Sequence, residues 1–478
     1  MDQSESPRHP LPETFTGRIR QQFPDDHSGF LKALDTKPAA SIRINPDKME
    51  HLSDGTPAHT PAPVTHRVPW SQNGWFLRER PSYTLDPLLH AGAYYVQEAS
   101  SMFLEHVLAL PELREQSGVI LDACAAPGGK STLIAAQFPD SLVVANEVIR
   151  SRVPALLENS IKWGSGNLVI TQNETGRIAA LTDFFDLVVA DAPCSGEGLF
   201  RKDPSARTEW SAAHAQHCAI RQRSILADLW KSIRPGGYMI YTTCTFNPEE
   251  NERNIAWFLG ESNGECLKIP MPPDCDAIRE ISTGPVTGYG FYPHLTSGEG
   301  FFLTLIRKPG RAHERHARRP YLRARQITEP GASAVSKTAR WFTGDEHVWF
   351  QIKERLHHIH SSHIDSLHII ASMLSVRYAG TETGKIIRDE IRPAPPAALD
   401  IHLDAGHFPQ IDCSHEDALS FLRRESLPVP EDSVSGWHLA MYRGLPLGWL
   451  KNIGSRMNNY HPKEWRIRQR NIQMPSKK

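Results

Sequence analysis

Five short apolar runs in the middle of the chain constrain its fold more than any other feature. They lie in "GVILDACAAPGGKSTLIAAQ", "SLVVANEV", "NLVIT", "FDLVVADAPC" and "GGYMIYTTC", between residues 118 and 244. Apolar runs without polar alternation, separated by segments long enough for helices, are what a sheet covered on both faces needs, because each crossover helix buries one side of it. The middle third is therefore expected to be an α/β domain, Rossmann-like and doubly wound around a mostly parallel sheet. In such sheets ligands collect beyond the carboxyl ends of the strands, so the residues closing each run are where chemistry belongs.

At 478 residues the chain is longer than one hydrophobic core usually serves, so further domains are expected on either side. Residues 1–84, with Pro-rich loops such as "HTPAPVTHRVPW", read as a small α/β cap, 85–308 as the α/β domain, 309–326 as a basic linker, and 327–478 as a mixed region ending in a β-rich module. The opening "MDQSESPRHPLPETF" has no signal layout, and no apolar run reaches the roughly 18 residues of a membrane span. A cytoplasmic protein with no membrane contact is expected, and nothing demands more than a monomer. The seven cysteines include no C-x-x-C pair, so they read as free thiols and no metal site is expected.

A net charge of −1 hides two basic stretches. Residues 307–326 carry eight Lys/Arg against one Glu, and the tail from Lys451 carries eight against Glu464 alone. Such blocks are either solvated surface or contacts to nucleic-acid phosphates, with Tyr321, Tyr460 and Trp465 as aromatic companions that stack on bases or pack within the terminal module.

"DACAAPGGKST" sits at a strand-to-helix turn where Gly128 and Gly129 let a ligand approach backbone N–H groups. A phosphate loop would need glycine where Cys124 stands, so the nucleotide-hydrolase reading fails there. Nineteen residues past Gly128, Glu147 closes the second strand at the spacing of a ribose-binding acid. Asn173 or Glu174 closes the third strand and could meet an adenine amino group. The fourth strand ends in Asp191 and Cys194, the fifth in Cys244. Beyond Cys244, Asn247 reads as an N-cap, Pro248 as the first helical residue and Glu250 as a capping-box partner, so a helix is expected immediately after the thiol.

Two thiols at neighbouring strand ends suit chemistry at carbon. Carbon 5 of a pyrimidine is a poor nucleophile until a thiolate adds to carbon 6 and makes the ring enamine-like. The adduct must then lose the carbon-5 proton and expel the enzyme, while an acid near ring nitrogen N3 stabilises the charge made on addition. One cysteine attacks; Asp191 and the other cysteine are candidates for the remaining roles.

At these residues the sequence resembles the NOL1/NOP2/Sun family of RNA cytosine-5 methyltransferases. "YYVQEASSM", "DACAAPGGKST", "DAPCSGEG" followed by "FRKDP", and "RPGGYMIYTTCTFNPEENE" are similar to its motifs in order, over roughly residues 85–307. The resemblance implies S-adenosylmethionine as cofactor, Cys244 as nucleophile and Cys194 as the residue assisting release. It implies cofactor contacts from Cys124, Ala125, Ala126, Pro127, Gly128, Gly129 and Lys130, and from Glu147, Asn173 and Asp191; Asn173 departs from the acid common at its position. "SIRINP" looks like the family's N-terminal extension. "GLPLGWLKNIGSRMNNYHPKEWRI" is similar to the C-terminal PUA-like module of bacterial members that methylate ribosomal RNA, which implies small-subunit ribosomal RNA as substrate and partner. The alternatives are a transfer-RNA methyltransferase, which would share the catalytic third, and a non-catalytic RNA-binding assembly factor, which would have no use for a thiol pair.

Overall fold

The computed structural model describes residues 9–469 apart from 54, 116–117, 274, 312–323, 345, 388–389 and 432. Most of the expected basic linker, including Arg315, Arg318, Arg319 and Tyr321, and the tail from residue 470 lie outside the described residues.

All five expected runs are strands: Val119–Asp122, Leu142–Asn146, Leu168–Thr171, Phe185–Asp191 and Ile233–Thr243, here the first to fifth core strands. They pair in parallel in the spatial order third, second, first, fourth, fifth. The order reverses between the first and fourth strands, which opens a crevice at their carboxyl ends. The first three strands are buried at every residue, and the fourth at every residue except its terminal Asp191, which explains their unalternating apolar sequences.

Antiparallel strands complete the sheet on both sides. Phe301–Arg307 pairs with the fifth strand, and the hairpin of Ile278–Thr283 and Val286–Phe291 lies outside it. At the opposite edge Val376–Ala379, from the C-terminal region, pairs with the third strand and covers what would be an open edge. The parallel core thus sits inside a larger mixed sheet.

The N-terminal cap has a four-stranded antiparallel sheet whose last strand, Tyr94–Tyr95, lies past residue 84. Its two helices, Glu13–Gln22 and His27–Ala33, pack elsewhere. Phe15, Ile19, Phe23 and Phe30 form a buried cluster with Phe200, Trp210, Phe246 and Tyr292, residues from the turns after the fourth and fifth core strands and from the outer hairpin. Arg18 joins the two turns directly: Nη2 meets Glu197 Oε2 at 2.6 Å and Nη1 donates to the Phe246 carbonyl at 3.3 Å.

The C-terminal region folds as a five-stranded sheet over residues 327–393 followed by a four-stranded one over 410–459. Tyr460 packs on Trp437 with centroids 4.6 Å apart and lies under the guanidinium of Arg392 from the preceding sheet, so it joins the two parts of the C-terminal region. Trp465 packs against the core of the α/β domain, with Lys162 Nζ 5.8 Å from its ring. No described helix is long and apolar enough to cross a membrane.

Four histidines in these junctions titrate far from their ordinary value. Burial pulls His90 down to about 3, and His357, His363 and His461 to about 4. A histidine depressed in the fold takes up its proton first in the unfolded chain. Its contribution is complete above pH about 6.5 and is lost as pH falls towards 4, each such group being worth on the order of 3 kcal/mol. Urea midpoints measured between pH 7.5 and pH 4.5 should therefore fall less steeply for His357→Gln than for wild type.

Candidate functional site

The turns after the first, second, third, fourth and fifth core strands converge on one cavity of about 510 Å³, open at the switch point. Cys124, Glu147, Asn173, Asp191, Cys194 and Cys244 all line it.

The two thiols meet. Cys194 Sγ and Cys244 Sγ are 3.0 Å apart, both cysteines are free, and the Cys244 amide donates to Cys194 Sγ at 3.3 Å. The turns carrying them touch so closely that Gly198 donates its N–H to the Cys244 carbonyl at 2.9 Å, and a Cβ on Gly198 would lie 2.6 Å from the Gly300 carbonyl. The hydrogen bond from Cys244, with burial, pushes the Cys194 thiol well above its ordinary range. Cys194 thus holds its proton firmly.

Asp191 Oδ2 pairs with Lys130 Nζ at 2.8 Å and its Oδ1 accepts from Thr242 Oγ1 at 2.8 Å. Burial works against the Lys130 charge, but Asp191 more than compensates and leaves the ammonium above its ordinary value, within electrostatic reach of Cys244. This cation supplies a positive field at Cys244.

A helix start does not. The helix after Cys244 spans Glu252–Glu261, so the expectation of a helix immediately beyond the thiol is corrected. Asn247 Oδ1 caps the Glu249 amide at 3.1 Å within a turn, and Glu250 makes no capping box because its carboxylate faces the Cys194 turn instead. Two donors on Ser195 and one on Gln222 outcompete a single backbone N–H for it.

In "DACAAPGGKST", Asp122 is buried and accepts from Ser131 Oγ at 2.6 Å; burial pushes its carboxyl up to about 7. The Cys124 thiol is pushed up by burial and faces the cavity as a neutral group. Ala125, Ala126, Pro127, Gly128 and Gly129 turn the chain into the helix Gly129–Gln137. Gly128 has φ +110°, which only glycine adopts readily. Arg152 Nη2 and Asn159 Nδ2 hold the Ala126 and Pro127 carbonyls at 2.5 and 2.8 Å.

Glu147, 2% exposed, accepts from the Ile149 amide at 2.8 Å and pairs with Arg152 at 3.2 Å. Asn173 is buried; its Oδ1 accepts from the Ser375 amide at 3.0 Å, while its Nδ2 has no hydrogen-bond partner among the described residues. Glu174 also lines the cavity.

Sequence reasoning missed Arg152, Arg221 and Ser224, which line the cavity, and Gln222 behind it. Arg152 follows a strand end and could have been sought there. The others sit on the long helix Ala212–Ser232, where no motif marks them.

The chain matches three families of known proteins. Residues 108–307 match "16S rRNA methyltransferase RsmB/F", residues 11–99 the "N-terminal domain of 16S rRNA methyltransferase RsmF", and residues 408–467 the "Methyltransferase RsmF PUA domain". Ribosomal RNA small subunit methyltransferase F of Enterobacter sp. (strain 638) is 30% identical over 95% of this chain and 95% of its own. Its counterpart in Citrobacter koseri is 32% identical over 95% and 96%. Among solved structures, a methyltransferase homolog protein from Pyrococcus horikoshii is 25% identical with a TM-score of 0.51, covering 63% of this chain and 96% of that one. NSun6 from the same organism, solved with SFG, shares the fold at 19% identity and TM-score 0.52, over 63% and 100%.

Proposed function

Because the chain belongs to the ribosomal RNA small subunit methyltransferase F family, we propose that it methylates carbon 5 of a cytosine in 16S ribosomal RNA, through a covalent bond from Cys244 to carbon 6. It is an S-adenosylmethionine-dependent RNA methyltransferase, and 16S ribosomal RNA is its substrate. The observation that carries the carbon-5 reading is the thiol pair, 3.0 Å apart at the mouth of a cavity shared with Glu147 and Asn173.

The residues present fit the cofactor. The cavity falls within the roughly 300–1,000 Å³ of small-molecule sites. Glu147 is assigned to the ribose hydroxyls, and the unpartnered Asn173 Nδ2 and the nearby Glu174 to the adenine end. Cys124 and Asp191, which line the cavity between these groups and the thiols, would meet the rest of the cofactor, whereas the turn over residues 125–130 is not among the residues lining the cavity. S-adenosylmethionine, when bound, supplies an electrophilic methyl group.

The chain's own residues do the rest. The Cys244 thiolate, in the field of Lys130, adds to carbon 6 while the Asp191–Lys130 pair lends a proton to N3. Carbon 5, now electron-rich, takes the methyl group. Release then needs the carbon-5 proton removed: Cys194 receives it while passing its own proton across 3.0 Å to the departing Cys244 sulfur. The electron pair of the carbon–hydrogen bond re-forms the ring double bond, that of the carbon–sulfur bond leaves with Cys244, and N3 returns its proton. Cys244 loses the extra proton to solvent before the next cycle.

A cytosine reaches a recessed thiol only when out of its stack, which loops and partly assembled RNA allow cheaply. The expected cytoplasmic location is consistent with this substrate. The cap, the methyltransferase domain, the linker and the C-terminal region divide near 84, 308 and 326, with Tyr94–Tyr95 reaching back into the sheet of the cap. The test is a nucleoside digest of methylated 16S ribosomal RNA: label running with 5-methylcytidine supports the carbon reading, and label in N4-methylcytidine or methylated adenosine overturns it.

A further inference from the structure

Glu250 lies on the turn that carries the nucleophile, yet its side chain crosses to the turn that carries the other thiol. Its Oε2 accepts from the Ser195 amide at 2.8 Å and its Oε1 from the Ser195 hydroxyl at 2.5 Å. Gln222 Nε2 donates to Glu250 Oε2 and to the Pro193 carbonyl, each at 3.0 Å. Both peptide groups flanking Cys194 are therefore fixed to one buried carboxylate and its partner amide. Gln222 is held in turn, its Oε1 accepting from Asn254 Nδ2 at 2.8 Å.

Glu250 and Gln222 are each 0% exposed, and the carboxylate is held by three donors from Ser195 and Gln222, so this is a rigid brace. The Cys244 side has an anchor of its own in Asn251, whose Nδ2 donates to the Thr245 carbonyl at 2.9 Å and whose Oδ1 accepts from Thr243 Oγ1 at 2.6 Å. Loss of Glu250 would loosen the Cys194 turn and leave the Cys244 turn in place.

We infer that Glu250 is a positioning residue for the release step: through Ser195 and Gln222 it holds the Cys194 thiol against the Cys244 sulfur. This rests on the assignment of release to Cys194. Glu250 is also among the groups that raise Cys194, after the Cys244 hydrogen bond and burial, although burial raises the Glu250 carboxyl as well.

The experiment compares wild type with Glu250→Gln, which keeps the side chain's size and loses its charge and one acceptor. Single-turnover methyl transfer should fall less than about threefold, while multiple turnover falls about tenfold or more and RNA–protein complexes resistant to denaturation accumulate. Alkylation by iodoacetamide, followed residue by residue by mass spectrometry, should speed up about fivefold at Cys194 and stay within about twofold at Cys244. Equal losses in single and multiple turnover without retained RNA, or no change in either, would overturn the inference.

Should Glu250→Gln fail to fold, Ser195→Ala removes one of the same bonds and is expected to act in the same direction with smaller effect. Cys194→Ala is run alongside. If that variant retains no RNA, the release assignment itself is wrong, and the alkylation ratio alone decides on Glu250: an unchanged ratio refutes the brace, a shifted one supports it.

Discussion

With Cys194→Ala, RNA should remain bound to the protein on a denaturing gel after one round of reaction, and steady turnover should fall at least about a hundredfold. The reason lies in which step each sulfur serves. Addition needs only the Cys244 thiolate, the Lys130 field and the Asp191–Lys130 pair, all intact in the variant. Elimination needs a group that takes the carbon-5 proton and returns one to the departing sulfur. At 3.0 Å from Cys244, protonated Cys194 is placed to do both. A methyl side chain does neither, so the adduct forms and stays. A variant that releases RNA normally, or that never captures it, contradicts this division.

Asp191→Asn should lower single-turnover methyl transfer by about 10²- to 10³-fold. The carboxylate accepts from Thr242 and pairs with Lys130, and an amide can replace the first contact only. Without the pair no proton is lent to N3 as the thiolate adds, and Lys130 loses the partner that raises it above its ordinary value. Binding of S-adenosylmethionine, measured by calorimetry, should weaken less than about tenfold, since Glu147 and Asn173 are untouched. A loss of affinity that matches the loss of rate would make Asp191 a cofactor ligand and nothing more.

The catalytic sheet was legible because its strands are buried on both faces and therefore read as unbroken apolar runs, each ending in a turn rich in functional residues. Val376–Ala379 could not be found that way. Its place at the sheet edge depends on pairing with the third strand some two hundred residues earlier, and nothing local records that. The same holds for the helix Glu13–Gln22, whose Arg18 reaches the turns of both cysteines.

That Cys194, Cys244, Asp191 and Glu147 share one cavity was legible because strand ends converge in this fold. Glu250 was misread for a physical reason: an acid three residues after asparagine satisfies a capping box as well as it satisfies a neighbouring turn. Only the position of Ser195 and Gln222 decides between them. Arg221 and Ser224 carried no signal, since one face of a long helix is not marked as a cavity wall until the sheet is assembled beside it.

The most direct measurement is transfer of a labelled methyl group from S-adenosylmethionine to small-subunit particles, free 16S ribosomal RNA, transfer RNA and DNA, by wild type and Cys244→Ala side by side. The predicted result is label in cytosine of 16S ribosomal RNA, in particles or free, that disappears with Cys244. Label that survives Cys244→Ala and is lost with Cys194→Ala would contradict the assignment of the nucleophile on which the mechanism is built.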